Sequence, residues 1–330
     1  MSTITPNKAF AAIDIGSNTF RLLIAEPRDD STRVPWRTMA YTHRIIRLGE
    51  GLHQSGKLCD AAMQRALHAF HAFANILQQH GVKNSQLFAV ATAAMREAEN
   101  GTAFCQLVAR ETGIHIQIID GQQEAHHSLV GSCAVLNKTI CQDFLLFDIG
   151  GGSTEFIRAR NQQNQDAISQ KLGVVRLVER FLHSDPPTQH DYAAIKLLCH
   201  KHLDDVEEYW QKSNGTSQPP KYLVGTAGTV TTLAAIDLSL SSYDADIINN
   251  HGISRKRFFI LRDQLLAMTL KERQAIAAIE SGRADLMIAG LAIIESIFER
   301  WEYTCMTTVD AGLLEGAWLN ISALSNSNRN

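Results

Sequence analysis

The sequence predicts an α/β protein built from two domains of the same topology that face each other across a cleft. The main observation is a repeated phrase, because "AIDIGSNT" around Asp14 recurs as "LFDIGGGST" around Asp148. The two phrases are separated by about the length of one domain, which is far longer than the unit of a solenoid. Each phrase is also followed by strands that alternate with helices, a pattern typical of α/β folds.

Composition limits the classes of function. The chain has 330 residues, of which 45% are hydrophobic and 20% charged, and its formal net charge is −3. This charge gives no overall attraction to nucleic acid or to an anionic membrane. No apolar run reaches the roughly 20 residues of a membrane span, the N-terminal segment resembles no signal peptide, and the six cysteines are scattered without a C-x-x-C pair. We therefore expect a cytoplasmic protein with neither nucleic acid nor membrane among its partners.

The first half is predicted to fold in the order β-β-β-α-β-α-β-α. Continuous apolar runs indicate the strands, and apolar residues at helical spacing, stopped by Gly81, indicate the first helix. The segments are, in order, "AFAAIDIG", "RLLIAEP", "WRTMAYTHRIIRL", "CDAAMQRALHAFHAFANILQQHG", "QLFAVAT", "GTAFCQLVARETG", "IHIQIID" and "QQEAHHSLVGSCAVL".

The second half is predicted to begin again with three strands and to become mainly helical towards its end. Helices are expected at about 174–182 and 188–210. The other predicted segments are the strands "DFLLFDIG", "TEFIRAR", "DAISQKLG", "KYLVGT" and "CMTTVD", the helix "TVTTLAAIDL" and the closing stretch "AGLLEGAWL". We place the domains at 1–128 and 129–330.

Three turns of small residues are predicted to bind phosphate. Glycine lets the main chain approach a ligand closely, and successive N–H groups in such turns form a concave anion site. The third turn, "GTAG", precedes a predicted helix whose N-terminus adds to the site at Gly228. A plain hairpin explains any one turn equally well, but three together favour phosphate. The other residues concerned are Gly16, Ser17, Asn18 and Thr19 in the first turn and Gly150, Gly151, Gly152, Ser153 and Thr154 in the second.

Carboxylates beside two of these turns indicate a divalent cation. Asp14 and Asp148 end the strands that enter the first and second turns, and Glu155 follows the second. A carboxylate next to phosphate is repulsive unless a cation lies between them, and Mg²⁺ is commonly held by one or two carboxylates together with phosphate oxygens. We therefore expect Mg²⁺ as cofactor, with these three residues as ligands. The alternative for Asp148 is a strand-end residue that caps its own turn.

The motifs resemble those of the exopolyphosphatase/guanosine pentaphosphate phosphohydrolase (Ppx/GppA) family, within the actin, sugar-kinase and Hsp70 ATPase superfamily. The resemblance covers nearly the whole chain, and the length is similar to that of the short, two-domain members. It implies two ribonuclease H-like (actin-like ATPase) domains related by duplication. The motifs that carry it include "DIGSNT", "TAAMREAEN", "GQQEAHHS", "DIGGGSTE", "GTAGTVTTL", "SGRADLM" and "DAGLLEGAW".

The resemblance also implies roles for individual residues. It assigns Glu124 as the base that activates water, Arg96 as a phosphate ligand, and Asp148 with Glu155 as organisers of Mg²⁺ and water. Without the resemblance, Glu124 is an ordinary acidic residue favoured by the dipole at a helix N-terminus. An arginine suits the second role because its planar fork can hold two phosphate oxygens at once.

The chain departs from the family at two positions and carries a set of candidate basic residues. Gln123 stands where the family usually has an acidic residue, and Leu314 stands where it tends to have arginine. A long anionic substrate favours a basic track leaving the cleft, although most surface basic residues are simply solvated. The candidates for the track are Arg21, Arg44, Arg47, Arg255, Lys256, Arg257 and Arg283.

The leading functional hypothesis is a Mg²⁺-dependent hydrolase that removes terminal phosphate from inorganic polyphosphate. Trimming of guanosine pentaphosphate (pppGpp) by the same site is the first alternative. A kinase or ATPase of the same superfamily, and a polyphosphate- or alarmone-binding protein with little turnover, are the others. We also expect a homodimer, although the apolar stretch "LMIAGLAIIESIFERW" is of a kind that more commonly completes a core.

Overall fold

The chain forms two compact α/β units. The computed structural model describes residues 9–28, 34–216, 218–280 and 282–327. Unit 1 comprises the residues up to Ala134 together with the closing helix from Leu313, and unit 2 comprises Val135–Gly312. Residues 1–8, where the sequence predicts no signal peptide, lie outside the described ranges. Within those ranges, no helix combines the length and the apolar character needed to cross a membrane.

The strands and helices of unit 1 follow the predicted order, with two short helices added. The hydrophobic strand β1 enters the first glycine turn and β2 leaves it. The elements before Ala134 are β1 (Phe10–Ile15), β2 (Thr19–Pro27), β3 (Trp36–Ile45), α1 (Leu52–Ser55), α2 (Asp60–Gln79), β4 (Leu87–Ala91), α3 (Ala93–Glu97), α4 (Gly101–Thr112), β5 (Ile116–Ile118) and α5 (Gly121–Cys133).

Unit 2 repeats this beginning and then continues with more helices. Its long helix α7 runs to Asn214 instead of ending at the predicted residue 210. The elements are β6 (Asp143–Ile149), β7 (Thr154–Arg160), β8 (Gln163–Gln170), α6 (Val174–Phe181), α7 (Gln189–Asn214), β9 (Tyr222–Thr226), α8 (Gly228–Asp237), α9 (Ala245–Ile248), β10 (Gly252–Ser254), α10 (Arg255–Ala267), α11 (Leu270–Gln274), α12 (Met287–Trp301) and β11 (Cys305–Thr308). The last helix of the chain is α13 (Leu313–Ser327).

The two sheets have the same strand order. The sheet of unit 1 runs β3-β2-β1-β4-β5, with antiparallel pairing among the first three strands and parallel pairing from β1 onward. The sheet of unit 2 runs β8-β7-β6-β9-β11, with the same directions and with β10 added at the edge. The repeated topology confirms the predicted fold class, two ribonuclease H-like domains related by duplication.

Each unit has its own apolar core, which packs against the strand that enters its glycine turn. This strand carries Asp14 in unit 1 and Asp148 in unit 2. In unit 1, Ile13 and Ile15 of β1 are buried in the same cluster as Phe70 of α2. In unit 2, Phe147 of β6 is buried in the same cluster as Trp210. Because successive side chains of a strand point to opposite faces, Asp14 and Asp148 lie on the face opposite these core residues, near the strand ends.

The structure divides the chain differently from the predicted domains 1–128 and 129–330. The predicted boundary falls inside α5, and α13, predicted for the second domain, packs in unit 1. The Trp318 indole donates a hydrogen bond of 3.0 Å to the Phe10 carbonyl of β1. A Cβ at Gly316 would lie 1.9 Å from the carbonyl oxygen of His127, so α13 contacts the backbone of α5. The sequence predicts the closing stretch but not the sheet on which α13 packs.

Candidate functional site

The first glycine turn connects β1 to β2 and is held from behind by the loop after β3. The Gly16 N–H donates to the Thr19 carbonyl at 3.1 Å, which closes the turn. The Asn18 carbonyl accepts from the N–H groups of Ile46 and Arg47 at 2.8 and 2.9 Å. Ser17 and Asn18 are buried, so their small side chains belong to a fixed structure rather than to an open surface loop.

Asp14 forms a buried ion pair with Arg21 across the hairpin. The two residues are direct partners in the β1–β2 register. The Arg21 Nε and Nη2 groups donate to the Asp14 Oδ2 atom at 2.9 and 2.6 Å. Burial opposes the charge of Arg21, but the carboxylates of Asp14 and Glu315 outweigh it and raise the pKa of the guanidinium. Among the described residues, no group donates a hydrogen bond to the buried Asp14 Oδ1 atom.

A second ion pair in unit 1 brings Arg96 and Glu124 together. Arg96 lies on α3, directly after β4, and Glu124 lies in the first turn of α5. The Arg96 Nη1 group donates to the Ile119 carbonyl at 2.7 Å and to the Glu124 Oε2 atom at 3.2 Å. The end of β4 is joined to the first glycine turn, because the Thr92 N–H donates to the Ile15 carbonyl at 3.3 Å. The two residues named from separate motifs therefore form one cluster at the end of the sheet.

The two departures from the family pattern have plain structural surroundings. The exposed Gln123 side chain accepts from the Asp120 N–H at 3.2 Å, while the Asp120 carboxylate accepts from the Gln123 N–H at 2.8 Å. Gln123 thus belongs to a capping box at the start of α5. Leu314 is fully buried on α13. The Gln123 side chain therefore caps the start of α5, and the Leu314 side chain packs in the interior.

The second glycine turn connects β6 to β7 and is held by the start of α6. The Gly150 N–H donates to the Ser153 carbonyl at 2.9 Å. The Gly150 carbonyl accepts from the Val174 N–H at 3.1 Å. A Cβ at Gly173 would lie 2.3 Å from the Gly151 carbonyl oxygen, so only glycine allows α6 to approach the turn this closely.

Glu155 lies directly opposite Asp148 in the β6–β7 register and is buried. Its Oε1 atom accepts hydrogen bonds of 2.7 Å from the hydroxyl groups of both Ser153 and Ser169. Ser169 is on β8, and the sequence motifs did not indicate it. Its only signal in the sequence is its place on a strand predicted to follow the second hairpin.

The third turn follows β9, which is parallel to β6, and it starts α8. Thr226 pairs with Asp148 in the register of the two strands, so the second and third turns lie at the same edge of the sheet. Ala227 has φ +72° and ψ 176°, a conformation that costs a non-glycine residue energy and that concentrates at functional sites. Ala227 is the N-cap residue of α8, and its methyl side chain cannot cap the helix start at Gly228.

The guanidinium of Arg283 lies against this helix start. A Cβ at Gly228 would lie 1.8 Å from the Arg283 Nη1 atom, so the glycine leaves the space that the guanidinium fills. The Arg283 Nε atom is 2.8 Å from the Glu280 carboxylate. A cation is disfavoured at a helix N-terminus unless an anion lies nearby. This placement favours an anionic ligand at the third turn.

Several of the other candidate track residues have partners within the protein. The Arg257 Nε group donates to Asp237 at 2.5 Å, and His251 contacts the same carboxylate at 2.7 Å. The Arg44 guanidinium donates to the His43 carbonyl at 2.8 Å, and that of Arg255 lies 5.7 Å from the centre of the Phe259 ring. Of the track candidates, Arg21 and Arg47 lie beside the first glycine turn and Arg283 lies beside the third.

The carboxylates fit Mg²⁺ held together with substrate, rather than a metal enclosed by protein. The described residues contain no group of three or more His, Cys, Asp or Glu side chains arranged to hold an ion. Mg²⁺ commonly needs only one or two carboxylates when phosphate and water complete its shell. The half-buried Asp148 suits this role, because it lies at the edge of the sheet where the second and third turns meet.

Comparison with known proteins identifies the family. The model of the Ppx/GppA phosphatase family matches residues 24–324. This chain belongs to the Ppx/GppA phosphatase family. Membership confirms the resemblance seen in the sequence motifs and the predicted enzyme class, a phosphoanhydride hydrolase of the Ppx/GppA type.

Individual members of the Ppx/GppA family match over almost the full length. "Exopolyphosphatase 2" of Mycobacterium tuberculosis is 30% identical over 321 residues, covering 94% of this chain and 98% of that protein. The crystal structure of an exopolyphosphatase from Cytophaga hutchinsonii has a TM-score of 0.84 at 29% identity and covers 96% of this chain and 98% of its own. A crystal structure of the Aquifex aeolicus family member has a TM-score of 0.79 at 27% identity, with coverages of 98% and 99%.

Proposed function

We propose that this Ppx/GppA family member hydrolyses the terminal phosphoanhydride bond of inorganic polyphosphate and releases orthophosphate in a Mg²⁺-dependent reaction. The observation that carries the proposal is the buried Glu124, which Arg96 holds beside the first glycine turn. The names of the relatives from M. tuberculosis and C. hutchinsonii support the same substrate.

Phosphate binding is assigned to the glycine turns and to the arginines beside them. Backbone N–H groups from Gly16 to Thr19 and from Gly150 to Thr154 would donate to phosphoryl oxygens, and the uncapped helix start at Gly228 would add its own. Arg21 and Arg283 would contribute charge at the first and third turns.

Water activation is assigned to Glu124. Phosphoryl transfer needs mainly positioning and charge stabilisation, with one base near the attacking water. Arg96, already within hydrogen-bond distance of Glu124, would orient the carboxylate and contact the phosphoryl group that is attacked. The carboxylate would take a proton from water as the water oxygen bonds to the terminal phosphorus and the bond from that phosphorus to the bridging oxygen breaks. The shortened polyphosphate would leave with the bridging oxygen, and the released orthophosphate would carry the water oxygen.

The metal is assigned to unit 2. Asp148 would hold Mg²⁺ together with substrate oxygens, and Glu155 would orient water or metal from behind, since Ser153 and Ser169 fix its carboxylate. When bound, the ion supplies neutralisation of the phosphate charge. The predicted homodimer and cytoplasmic location stay predictions.

The proposal is tested by measuring orthophosphate release from long-chain polyphosphate and from pppGpp with one preparation, with and without Mg²⁺. We expect turnover of polyphosphate that EDTA abolishes and Mg²⁺ restores. If pppGpp is hydrolysed with a far higher kcat/KM, pppGpp is the substrate of this site. If neither compound releases phosphate, the hydrolase assignment to these substrates is wrong.

A further inference from the structure

Arg273 is an arginine in an unusual place. It lies on the short helix α11, and only 3% of its surface is exposed, although arginine is almost never fully buried without a partner. The Asp185 Oδ1 atom lies 3.8 Å from its Nη2 group. Burial lowers the pKa of Arg273, even though Asp185 and Asp285 act in the opposite direction. Because burial disfavours the charge of Arg273, the contacts of its guanidinium should explain why an arginine stands here.

The guanidinium binds backbone carbonyls from two segments. Its Nη1 group donates to the carbonyls of Met268 at 2.6 Å and Leu265 at 3.4 Å, which lie at the end of α10. These bonds satisfy carbonyl groups that a helix leaves without partners at its C-terminus, where positive charge is favourable. Its Nε group donates to the Ala284 carbonyl at 3.2 Å. This last bond does nothing for the helix end.

The bond to Ala284 fixes the residue that follows Arg283. Ala284 is 1% exposed, so its carbonyl is held in the interior rather than by solvent. The backbone of Arg283 is held on both sides, because its N–H donates to the Glu280 carbonyl and its carbonyl accepts from the Leu286 N–H, both at 3.0 Å. The guanidinium of Arg283 then reaches the start of α8 at Gly228.

We infer that Arg273 is a positioning residue, which acts through the Ala284 carbonyl to hold the guanidinium of Arg283 at the phosphate-binding start of α8. The inference rests on the proposed function, in which Arg283 contacts a phosphate of the substrate. Arg273 itself touches neither substrate nor water in this scheme. Its effect on catalysis passes entirely through Arg283.

Lysine at position 273 separates this role from a general role in packing. A lysine keeps the charge and can cap the end of α10, but its single nitrogen lacks the planar fork that also reaches Ala284. Arg262 offers a matched control in the same unit. It lies on α10 and donates to the buried Glu295 at 2.5 Å. We expect Arg262→Lys to cost stability without moving Arg283.

The test is a double-mutant cycle with tripolyphosphate as substrate. Wild type, Arg273→Lys, Arg283→Ala and the double variant are compared by orthophosphate release. We expect Arg283→Ala to raise KM about tenfold, the size of one charge-assisted contact. Arg273→Lys should raise KM several-fold with kcat nearly unchanged, and the double variant should match Arg283→Ala alone. Multiplicative effects in the double variant, or an unchanged KM for Arg273→Lys, would overturn the inference.

Two further measurements keep the result interpretable. Urea unfolding of Arg273→Lys and Arg262→Lys compares how much free energy of unfolding each variant loses. If KM rises equally in Arg262→Lys, the effect comes from a general loss of packing in unit 2, and the inference is overturned. If wild type releases no orthophosphate, the proposed function fails, and the same cycle is measured as the Kd of tripolyphosphate by calorimetry. Non-additive Kd values would then support the role of Arg273, whereas additive values or absence of binding would refute it.

Discussion

The hairpins that begin the two units have the same strand register but carry different charges at the same position. In unit 1, Asp14 of β1 lies opposite Arg21 of β2. In unit 2, Asp148 of β6 lies opposite Glu155 of β7, at the same register position. On the third strand of each sheet, the residue at the same register position is His43 beside Arg21 in unit 1 and Ser169 beside Glu155 in unit 2.

This difference indicates that the duplicated hairpins have different tasks. The Asp14–Arg21 pair is neutral and needs no metal, and the arginine can also face an anion. The Asp148–Glu155 pair places two carboxylates at opposite register positions, an arrangement that suits a cation. Both turns are proposed to bind phosphate, but we assign the arginine contact to the first hairpin and Mg²⁺ to the second. We propose that Asp14 positions Arg21 rather than binding the metal.

The largest expected effect belongs to Glu124. With Asp14 bound to Arg21, Glu124 is the carboxylate of unit 1 that we assign as base. Glu124→Gln should lower kcat for tripolyphosphate by about 10²- to 10⁴-fold, the usual contribution of a general base. Gln123→Glu is the matched control, since its carboxylate can still accept from the Asp120 N–H, and its kcat should stay near wild type. If Glu124→Gln keeps more than a tenth of the wild-type kcat, Glu124 is not the base that activates water.

The two glycine turns should also differ in how far they tolerate a Cβ on the glycine that packs behind them. Gly173 packs on the second turn with no room for a Cβ, at 2.3 Å from Gly151 oxygen, whereas a Cβ at Gly49 would lie 3.2 Å from the Cβ of Ser17 in the first turn. Gly173→Ala must displace the metal-side turn and should lower kcat/KM by about 100-fold, the cost of a shift of about 1 Å. Gly49→Ala should change it only slightly. Equal losses in steady-state assays of the two variants would mean that the turns tolerate displacement alike.

Metal dependence gives the most direct test of the charge difference. Asp148→Asn should raise the Mg²⁺ concentration for half-maximal activity by about 10- to 100-fold, in the range for loss of a group that tunes a metal site. Asp14→Asn should leave that Mg²⁺ concentration unchanged. It should raise KM instead, because Arg21 loses the carboxylate that holds its guanidinium in place. Titration of activity with Mg²⁺ at saturating substrate measures both. A similar Mg²⁺ shift in the two variants would show that Asp14 is also a ligand.

The smallest expected effect is a different response of the units to acid. Burial, and then the neighbouring His126, lower the pKa of His127 in α5 to about 4. The neutral ring therefore stabilises unit 1 fully above its unfolded pKa of about 6.5, and this contribution of about 1–2 kcal/mol, after solvent screening, is lost as pH falls towards 4.

Helix α12 of unit 2 should respond only at lower pH. Burial opposes the charge of Glu295 there, but hydrogen bonds from Lys196 and Tyr192 outweigh it and lower its pKa, so its contribution is lost only below the ordinary range of glutamate. Hydrogen exchange at pH 7 and 5.5 should show weaker protection in α5 and unchanged protection in α12. His127→Gln should remove the difference in α5, and equal protection of α5 at both pH values in wild type would contradict the assignment.

Much of the fold could be predicted from sequence because its signals are local. Apolar runs, helical spacing and glycine turns located nearly all the strands and main helices, and the repeated phrase revealed the duplication. The short helices α1 and α3 were missed, since four or five residues carry too little periodicity. The partner of α13 was also missed, because an apolar helix face does not specify which of two sheets covers it.

The site divides in the same way. The sequence by itself determined the chemical groups: two Asp-Gly turns, a third turn before a helix, and the motifs of Arg96 and Glu124. Only the tertiary structure decided which groups meet, such as Arg96 with Glu124, Glu155 with Ser169, and Arg283 with Gly228. Local backbone preferences are written in neighbouring residues, whereas contacts between distant segments depend on how complete helices and sheets pack, and no short stretch of sequence contains that information.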